Sequence, residues 1–262
     1  DINKGESAFS VEENESTEKT GEEAFKYNKS IRYGLSAIKS IGKPVIDAIV
    51  RERNQNGIYR NFRDFVERLS GKELNKRTIE NFIKAGALDG LCDNRKQLMM
   101  IYVQVVDSVN QEKKNAMAGQ MSLFDFVAEE DKKDFEIRMP DVEEYDKEQL
   151  LAFEKEVLGV YISGHPLEKY EKMWQKNISA TTMDFAYQEE LHGSRLFDGA
   201  EEIIGGMVEG ITIKHTKNNK TMVFLTIEDL LGTVEVVVFP RQYEIYRNSI
   251  TQDGKLFIRG HV

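Results

Sequence analysis

Residues 35–50 carry the sequence LSAIKSIGKPVIDAIV, and this stretch decides the first half of the fold. Two short amphipathic segments flank the turn SIGKP at 40–44. Pro44 suits the first turn of a helix, because its missing N–H has no partner to lose there. The residues after it repeat at helical spacing and predict one apolar face. That face comprises Val45, Ile46, Ile49 and Val50.

A turn of this kind exposes backbone N–H groups beside a helix N-terminus, where they can bind a phosphate without reading a base. Lys39 and Lys43 flank the turn, and Arg51 and Arg53 follow it. One turn alone would favour a packed helical corner with no ligand. The sequence offers a second turn in FIKAGALDGL, with Lys84 and Gly86, where a left-handed C-cap is expected.

Both turns lie in a basic block. Residues 26–95 carry fifteen Lys and Arg against eight Asp and Glu, a net charge of +7, whereas the chain as a whole has a net charge of -9. This asymmetry favours a tandem helix-hairpin-helix domain that binds a duplex DNA backbone. The predicted backbone-binding residues are Lys39, Ser40, Ile41, Gly42, Lys43, Lys84, Ala85, Gly86 and Ala87.

Helical periodicity continues around these turns. Gly57 is placed to close the first helix, and Asn75 is a good N-cap for NKRTIENFIKA. The segment NRKQLMMIYVQVVDSVNQ holds the i, i+3, i+4, i+7 spacing of a buried stripe. We therefore assign residues 29–116 to the helical domain and predict a further helix in DVEEYDKEQLLAFEKEVLGVYIS.

From Ile203 the period changes to that of strands. The runs MVEGITIKHTK, KTMVFLTIED, GTVEVVVFP and KLFIRGHV alternate with turn signals, NNK at 218–220 and LLG at 230–232. RQYEIYRNSI predicts a short helix before the last run. This order is that of an OB-fold barrel, with its fifth strand missing.

OB-folds bind single strands through basic and aromatic residues of the sheet face and loops. The basic side chains of the first hairpin are the better candidates. They are Lys214, His215, Lys217 and Lys220. Phe224 and Phe239 lie in strands. Phe224 suits the barrel interior equally well, given its MVFLTI context.

Between the helical and strand regions, residues 112–140 lose periodicity. They contain GQMSLFDF at 119–126, in which Leu123, Phe124 and Phe126 stand between polar flanks. These side chains could anchor a loop on the helical core. The alternative, favoured by the polar flanks, is a linear motif that inserts apolar anchors into a partner's pocket.

The sequence argues against other classes of function. It has no glycine-rich phosphate loop, no GxSxG motif and no Cys and His cluster at metal-ligand spacing. The single cysteine, Cys92, suits a reducing, cytoplasmic setting. No apolar run is long enough to span a membrane, so we expect no membrane partner.

The predicted organisation is therefore a multidomain chain, α then β. Residues 1–28 are expected to be a surface extension, 29–116 the tandem helix-hairpin-helix domain, 117–140 a loop, 141–200 a helical connector and 201–262 a truncated OB-fold. The start at Asp1 and the unfinished barrel lead us to expect a fragment of a longer protein.

Three motifs carry a resemblance to a known family. YGLSAIKSIG, NKRTIENFIKAGALDGL and EKEVLGVYISGHPLEKY, followed by an OB-fold, resemble the carboxy-terminal half of the bacterial replicative DNA polymerase III alpha subunits. The opening residues would then be the end of that family's fingers region. The family's catalytic carboxylates and their Mg²⁺ lie upstream. The resemblance therefore implies a DNA-directed DNA polymerase as the parent, and a segment that needs no cofactor and is inactive alone.

The resemblance also implies roles and partners. The family's helix-hairpin-helix domain contacts double-stranded DNA, and its OB-fold lies near single-stranded template. Between them the family carries a motif for the beta sliding clamp, which Gln120, Met121, Ser122, Leu123 and Phe124 fit. Other replisome subunits are further expected partners. The alternative is a structural scaffold that positions such subunits without touching DNA. The GHP at 164–166 is expected to be a structural turn.

Overall fold

The computed structural model describes most of the chain. The described residues are 1–13, 29–69, 74–92, 94–117, 137–186 and 193–262. They form two compact units, which we call the helical unit (Asp1–Ser163) and the β unit (Gly164–Val262). None of the described helices is both long and apolar enough to cross a membrane.

The helical unit is built from five helices and a two-stranded hairpin in its described residues. The helices are α1 (Lys43–Asn56), α2 (Phe62–Leu69), α3 (Lys76–Lys84), α4 (Arg95–Met117) and α5 (Lys147–Leu158). The hairpin pairs β1 (Ser10–Glu13) with β2 (Lys29–Arg32). Short 3-10 helices lie at Leu35–Ala37 and Asp89–Leu91.

Local signals set the helix ends as predicted. The Asn75 side chain accepts a hydrogen bond from the Thr78 N–H at 2.9 Å and so caps α3. Pro44 lies in the first turn of α1. Gly57 ends α1 with a φ of 83°, a value that glycine adopts without strain.

The core of the helical unit is aromatic and aliphatic. Phe65 makes edge-on contacts with Tyr59 and Phe82, at centroid distances of 5.1 and 6.3 Å. Leu98 and Ile79 are fully buried beside them. Each fully buried side chain of this size contributes about 1.5–3 kcal/mol, so packing of the amphipathic faces holds the helices together.

The first residues differ from the predicted surface extension. Ile2 is fully buried in the helical core. Arg53 is also buried, and it donates hydrogen bonds to the carbonyl oxygens of Ile2 and Gly5 and pairs with Glu6. Arg53, which followed the first turn in the basic block, therefore fixes the amino-terminal segment and is turned away from solvent.

The helix predicted from residue 141 begins later. Asp146 caps α5 by accepting a hydrogen bond from the Gln149 N–H at 2.8 Å, so residues 137–146 stay extended or irregular. Gly159, with a φ of 80°, ends α5 before VYIS. A cap and a left-handed glycine thus outweigh the helical pattern on either side of them.

The β unit is a curled antiparallel sheet with the strand order of an OB-fold half-barrel. Its strands are β3 (Glu201–His215), β4 (Thr221–Glu228), β5 (Thr233–Val238) and β6 (Lys255–His261), in the order β5-β4-β3-β6. The helix α7 (Pro240–Tyr246) follows β5. Val223, Leu225 and Ile227 alternate along β4 and face the core. The predicted fold class is confirmed.

The segment before the sheet belongs to the same unit. It contains α6 (Glu171–Asn177) and 3-10 helices at Glu168–Tyr170 and Thr182–Phe185. In the GHP turn, the His165 N–H donates to Glu168 and the Leu167 N–H donates to the His165 Nδ1. The domain boundaries proposed from the sequence remain predictions.

Candidate nucleic-acid interface

The first predicted turn presents a helix N-terminus to solvent. Gly42 is the N-cap of α1, and no side chain caps the helix there. Lys39, Ser40, Gly42 and Lys43 are exposed. Among the described residues, no carboxylate forms an ion pair with Lys39 or Lys43. Pro44 has no N–H, and the Val45 N–H donates to the Gly42 carbonyl at 3.1 Å. The turn therefore offers an anion mainly the positive end of the helix dipole and the exposed side chains of Lys39 and Lys43.

The same turn is held in place from behind. The Lys39 N–H donates to the Val157 carbonyl at 2.8 Å, and the Asn81 side chain donates to the Lys39 carbonyl at 3.0 Å. Ser40 adopts a φ of 63°, which is uncommon for a residue other than glycine. Because α3 and α5 fix its backbone, the turn is preorganised.

The second turn has a different character. Gly86 has the predicted left-handed φ, at 69°. The Ala87 N–H donates to the Phe82 carbonyl and the Gly86 N–H to the Ile83 carbonyl, at 2.9 and 3.0 Å, which is the Schellman motif. A Cβ at Gly86 would collide with the guanidinium of Arg95. Arg95 thus covers the backbone that was predicted to bind phosphate.

Lys84 is already paired with two carboxylates. Its Nζ lies 3.0 Å from Glu80 and 2.8 Å from Glu156, and its side chain is only 13% exposed. Burial acts to lower the pKa of Lys84, but the hydrogen bonds to Glu156 and Glu80 outweigh it and raise the pKa. The predicted DNA contact of Lys84 stays a prediction, with its charge largely neutralised within the fold.

The basic residues predicted to bind single strands do come together at one hairpin of the β unit. Lys214 and His215 end β3, and Lys217 and Lys220 flank the tip, where Asn219 has a φ of 56°. All four bases are exposed. The Lys214 ammonium lies 4.3 Å from the centroid of the Phe224 ring, a cation–π contact. Phe224 therefore lies on the outer face of β4, where a base could stack, rather than in the core.

The predicted clamp-binding residues Gln120, Met121, Ser122, Leu123 and Phe124 lie outside the described residues. Within the described ranges, no group of three or more His, Cys, Asp and Glu side chains could hold a metal ion.

Comparisons with known proteins follow the same division of the chain. Residues 1–98 match the helix-hairpin-helix motif family, and residues 203–262 match the OB-fold nucleic acid binding domain family. The DNA polymerase III subunit alpha of Borreliella burgdorferi is 35% identical over 237 residues, which is 90% of this chain and 20% of that protein. The chain is homologous to a portion of the DNA polymerase III alpha subunit.

Other polymerase III alpha subunits agree. That of Saccharopolyspora erythraea is 33% identical over 236 residues, 88% of this chain and 19% of that protein. That of Aquifex aeolicus is 32% identical over 260 residues, 99% of this chain and 19% of that protein. The chain spans about one fifth of the length of the curated relatives it matches. The resemblance drawn from the three motifs, to the carboxy-terminal portion of these subunits, is confirmed.

The sequence did not predict two buried carboxylates that accept hydrogen bonds from backbone N–H groups in the two units. Glu154 is 1% exposed and accepts hydrogen bonds from the Ile162 and Ser163 N–H groups at 2.8 and 2.9 Å. Asp229 is 3% exposed and accepts four hydrogen bonds. Glu154 lies in the charged run FEKEV at 153–157, and Asp229 follows an apolar strand, so neither position predicts a buried carboxylate with several donors. For Asp229, its place directly before the LLG turn is the one available signal, because aspartate often caps turns.

Proposed function

We propose that this chain is a DNA-binding and sliding-clamp-binding portion of a replicative polymerase. In this proposal the helical unit binds the backbone of double-stranded DNA. The basic side chains of the hairpin in the β unit bind single-stranded template. The segment at 120–124 tethers the chain to the beta clamp. The tether would keep a dissociated polymerase near its template, so that processivity comes from effective concentration.

The polymerase activity is assigned to the parent protein and not to this segment. The relatives that match are named DNA polymerase III subunit alpha. We propose that the catalytic carboxylates and their Mg²⁺ belong to other parts of the parent, that it acts in the cytoplasm, and that this segment does not polymerise alone.

The single observation that carries duplex binding is the open N-terminus of α1 between Lys39 and Lys43. It offers the positive end of a helix dipole and the exposed side chains of Lys39 and Lys43 to an anion such as a DNA phosphate. The helix-hairpin-helix match over residues 1–98 supports the same assignment.

We predict that the double variant Lys39→Ala, Lys43→Ala binds duplex DNA about tenfold more weakly than the wild type at moderate salt. Each lost phosphate contact reduces the slope of log affinity against log salt by about 0.9, so the slope should fall by about 1.8. The measurement is fluorescence anisotropy of a labelled duplex over a salt series.

The matched comparator is Lys84→Ala. Because Glu80 and Glu156 already neutralise Lys84, this variant should change the salt slope by less than either exposed lysine does. If the affinity for duplex DNA changes neither with salt nor on replacement of Lys39 and Lys43, the structural scaffold is favoured instead.

For the clamp, we predict that alanine at Gln120, Leu123 and Phe124 together weakens binding at least about tenfold, because such anchors contribute most of an interface's energy. Binding of a purified beta clamp can be measured by surface plasmon resonance. Asp125→Ala, next to the motif, is the control and should bind as the wild type does. Equal clamp binding by the triple variant would contradict the assignment, whatever the DNA measurements show.

A further inference from the structure

We propose that a second site in the β unit binds one nucleobase of a DNA single strand. This site lies away from the basic side chains of the hairpin. This site, which we call the Trp174 pocket, has a volume of about 190 Å³. Its floor is the backbone of Gly205 and Gly206. Its walls include Leu167, Tyr170, Trp174, Lys255 and Phe257. The inference rests on the proposed nucleic-acid binding of this unit and adds a place and a chemistry to it.

The pocket is preformed by a side-chain-free stretch of β3. A Cβ at Gly205 would lie 2.7 Å from the Phe257 ring and 2.9 Å from the Trp174 ring, closer than real Cβ atoms come. The glycine therefore lets both rings lie directly on the strand. The Trp174 indole N–H donates to the Gly205 carbonyl at 2.7 Å, which fixes the ring and satisfies its only donor.

The size and lining suit a single flat ring system. Pockets for drug-sized ligands occupy about 300–1,000 Å³, so this one has room for much less. Phe257 is 45% exposed and Met173 is 50% exposed at its mouth. An aromatic edge and a polarizable thioether are thus open to an incoming ring, and a base stacked on an aromatic side chain gains about 1–3 kcal/mol.

The charge at the mouth favours a nucleotide over an aromatic peptide side chain. The ammonium groups of Lys169 and Lys255 lie 5.0 and 5.1 Å from the centroid of the Tyr170 ring. A nucleotide presents a ring and an anion together, which matches an aromatic wall with two cations beside it.

The Trp174 pocket is distinct from the hairpin site. Gly205 pairs with Phe257 at the β6 side of β3, whereas His215 pairs with Thr221 at the other end of that strand. Gly205 and His215 are ten positions apart along β3, on the order of 30 Å of extended strand. The two sites can therefore be tested separately.

The chain supplies a site-specific probe, because Trp174 is its only tryptophan. Two readouts are followed together as the whole chain is titrated with a labelled oligothymidylate at low salt. Anisotropy reports binding anywhere, and Trp174 emission reports the pocket. We expect saturable emission change with the oligothymidylate and none with an abasic oligonucleotide of equal length, which offers phosphates without bases.

Variants locate the effect. Phe257→Ala and Lys255→Met should each weaken the emission-detected binding at least about fivefold. Lys217→Ala with Lys220→Ala should retain the emission change. The control is Phe197→Ala, since Phe197 is 83% exposed and does not line the pocket, and it should behave as the wild type. Thermal melts establish that each variant is folded. If Phe257→Ala does not fold, Lys255→Met provides the test.

The outcomes separate the two hypotheses. An anisotropy change without an emission change would overturn the Trp174 pocket and leave DNA binding in place. An equal emission change with the abasic strand, or with a phenylalanine-containing peptide, would also overturn it. The absence of any anisotropy change at low salt would overturn single-strand binding by the unit as well as the pocket.

Discussion

Asp229→Ala is expected to destabilise the β unit by about 3 kcal/mol, because it removes the acceptor for four hydrogen bonds in a buried place. The Thr182 N–H and hydroxyl donate to this carboxylate at 2.8 and 2.6 Å, and the Leu231 and Gly232 N–H groups donate at 2.7 and 3.0 Å. Leaving buried donors without an acceptor costs about 1–3 kcal/mol each, less whatever water recovers. The measurement is denaturant unfolding followed by Trp174 emission, which reports the β unit.

A graded series tests the cause. Thr182→Val removes only the hydroxyl and should cost about 1 kcal/mol. In Asp229→Asn an amide NH₂ must face at least one N–H donor, so we expect a loss between those of the other two variants. A double-mutant cycle of Asp229 and Thr182 should show a coupling of at least about 0.5 kcal/mol. Additive losses, or an Asp229→Ala variant as stable as the wild type, would contradict this role.

The parts of this fold that the sequence predicted are those set by local chemistry. Asn75 caps a helix whose first turn begins at the next residue, and Gly86 supplies a left-handed conformation at the end of the same helix. The succession of strands along the chain in the β unit followed from alternation and turn residues in the same way. Each of these signals lies within a few residues of the structure it sets.

The parts that could not be predicted depend on residues far apart in the chain. Lys84 looked available for DNA because one of its two partners, Glu156, lies 72 residues away. Asp229 and Thr182 are 47 residues apart. Phe224 was undecided between core and surface, and it lies outside because its neighbours Val223 and Leu225 take the inner positions of the strand. Charge and periodicity show what a residue can do, but not which partner the fold supplies.

Glu154→Ala is expected to destabilise the helical unit by about 3 kcal/mol. Its carboxylate is 1% exposed, accepts the Ile162 and Ser163 N–H groups, and lies 3.5 Å from the Arg95 guanidinium. Arg95 keeps Asp89 as a partner at 2.9 Å, which limits the loss. Removing one member of a buried charged pair costs about 3–5 kcal/mol when the other is left alone. Denaturant unfolding followed by helical circular dichroism measures the effect, because the described helical residues lie mainly in this unit.

Glu154→Gln distinguishes charge from hydrogen bonding. Its amide oxygen can still accept from the Ile162 and Ser163 N–H groups, but its NH₂ then faces the Arg95 guanidinium, so we expect a smaller loss of about 1 kcal/mol. Arg95 covers the Gly86 turn, so loosening Arg95 should also raise hydrogen exchange at the amides of Gly86 and Ala87. If Glu154→Ala leaves both the helical transition and that exchange unchanged, the carboxylate does not hold the second turn, and the backbone contacts of α3 alone must fix it.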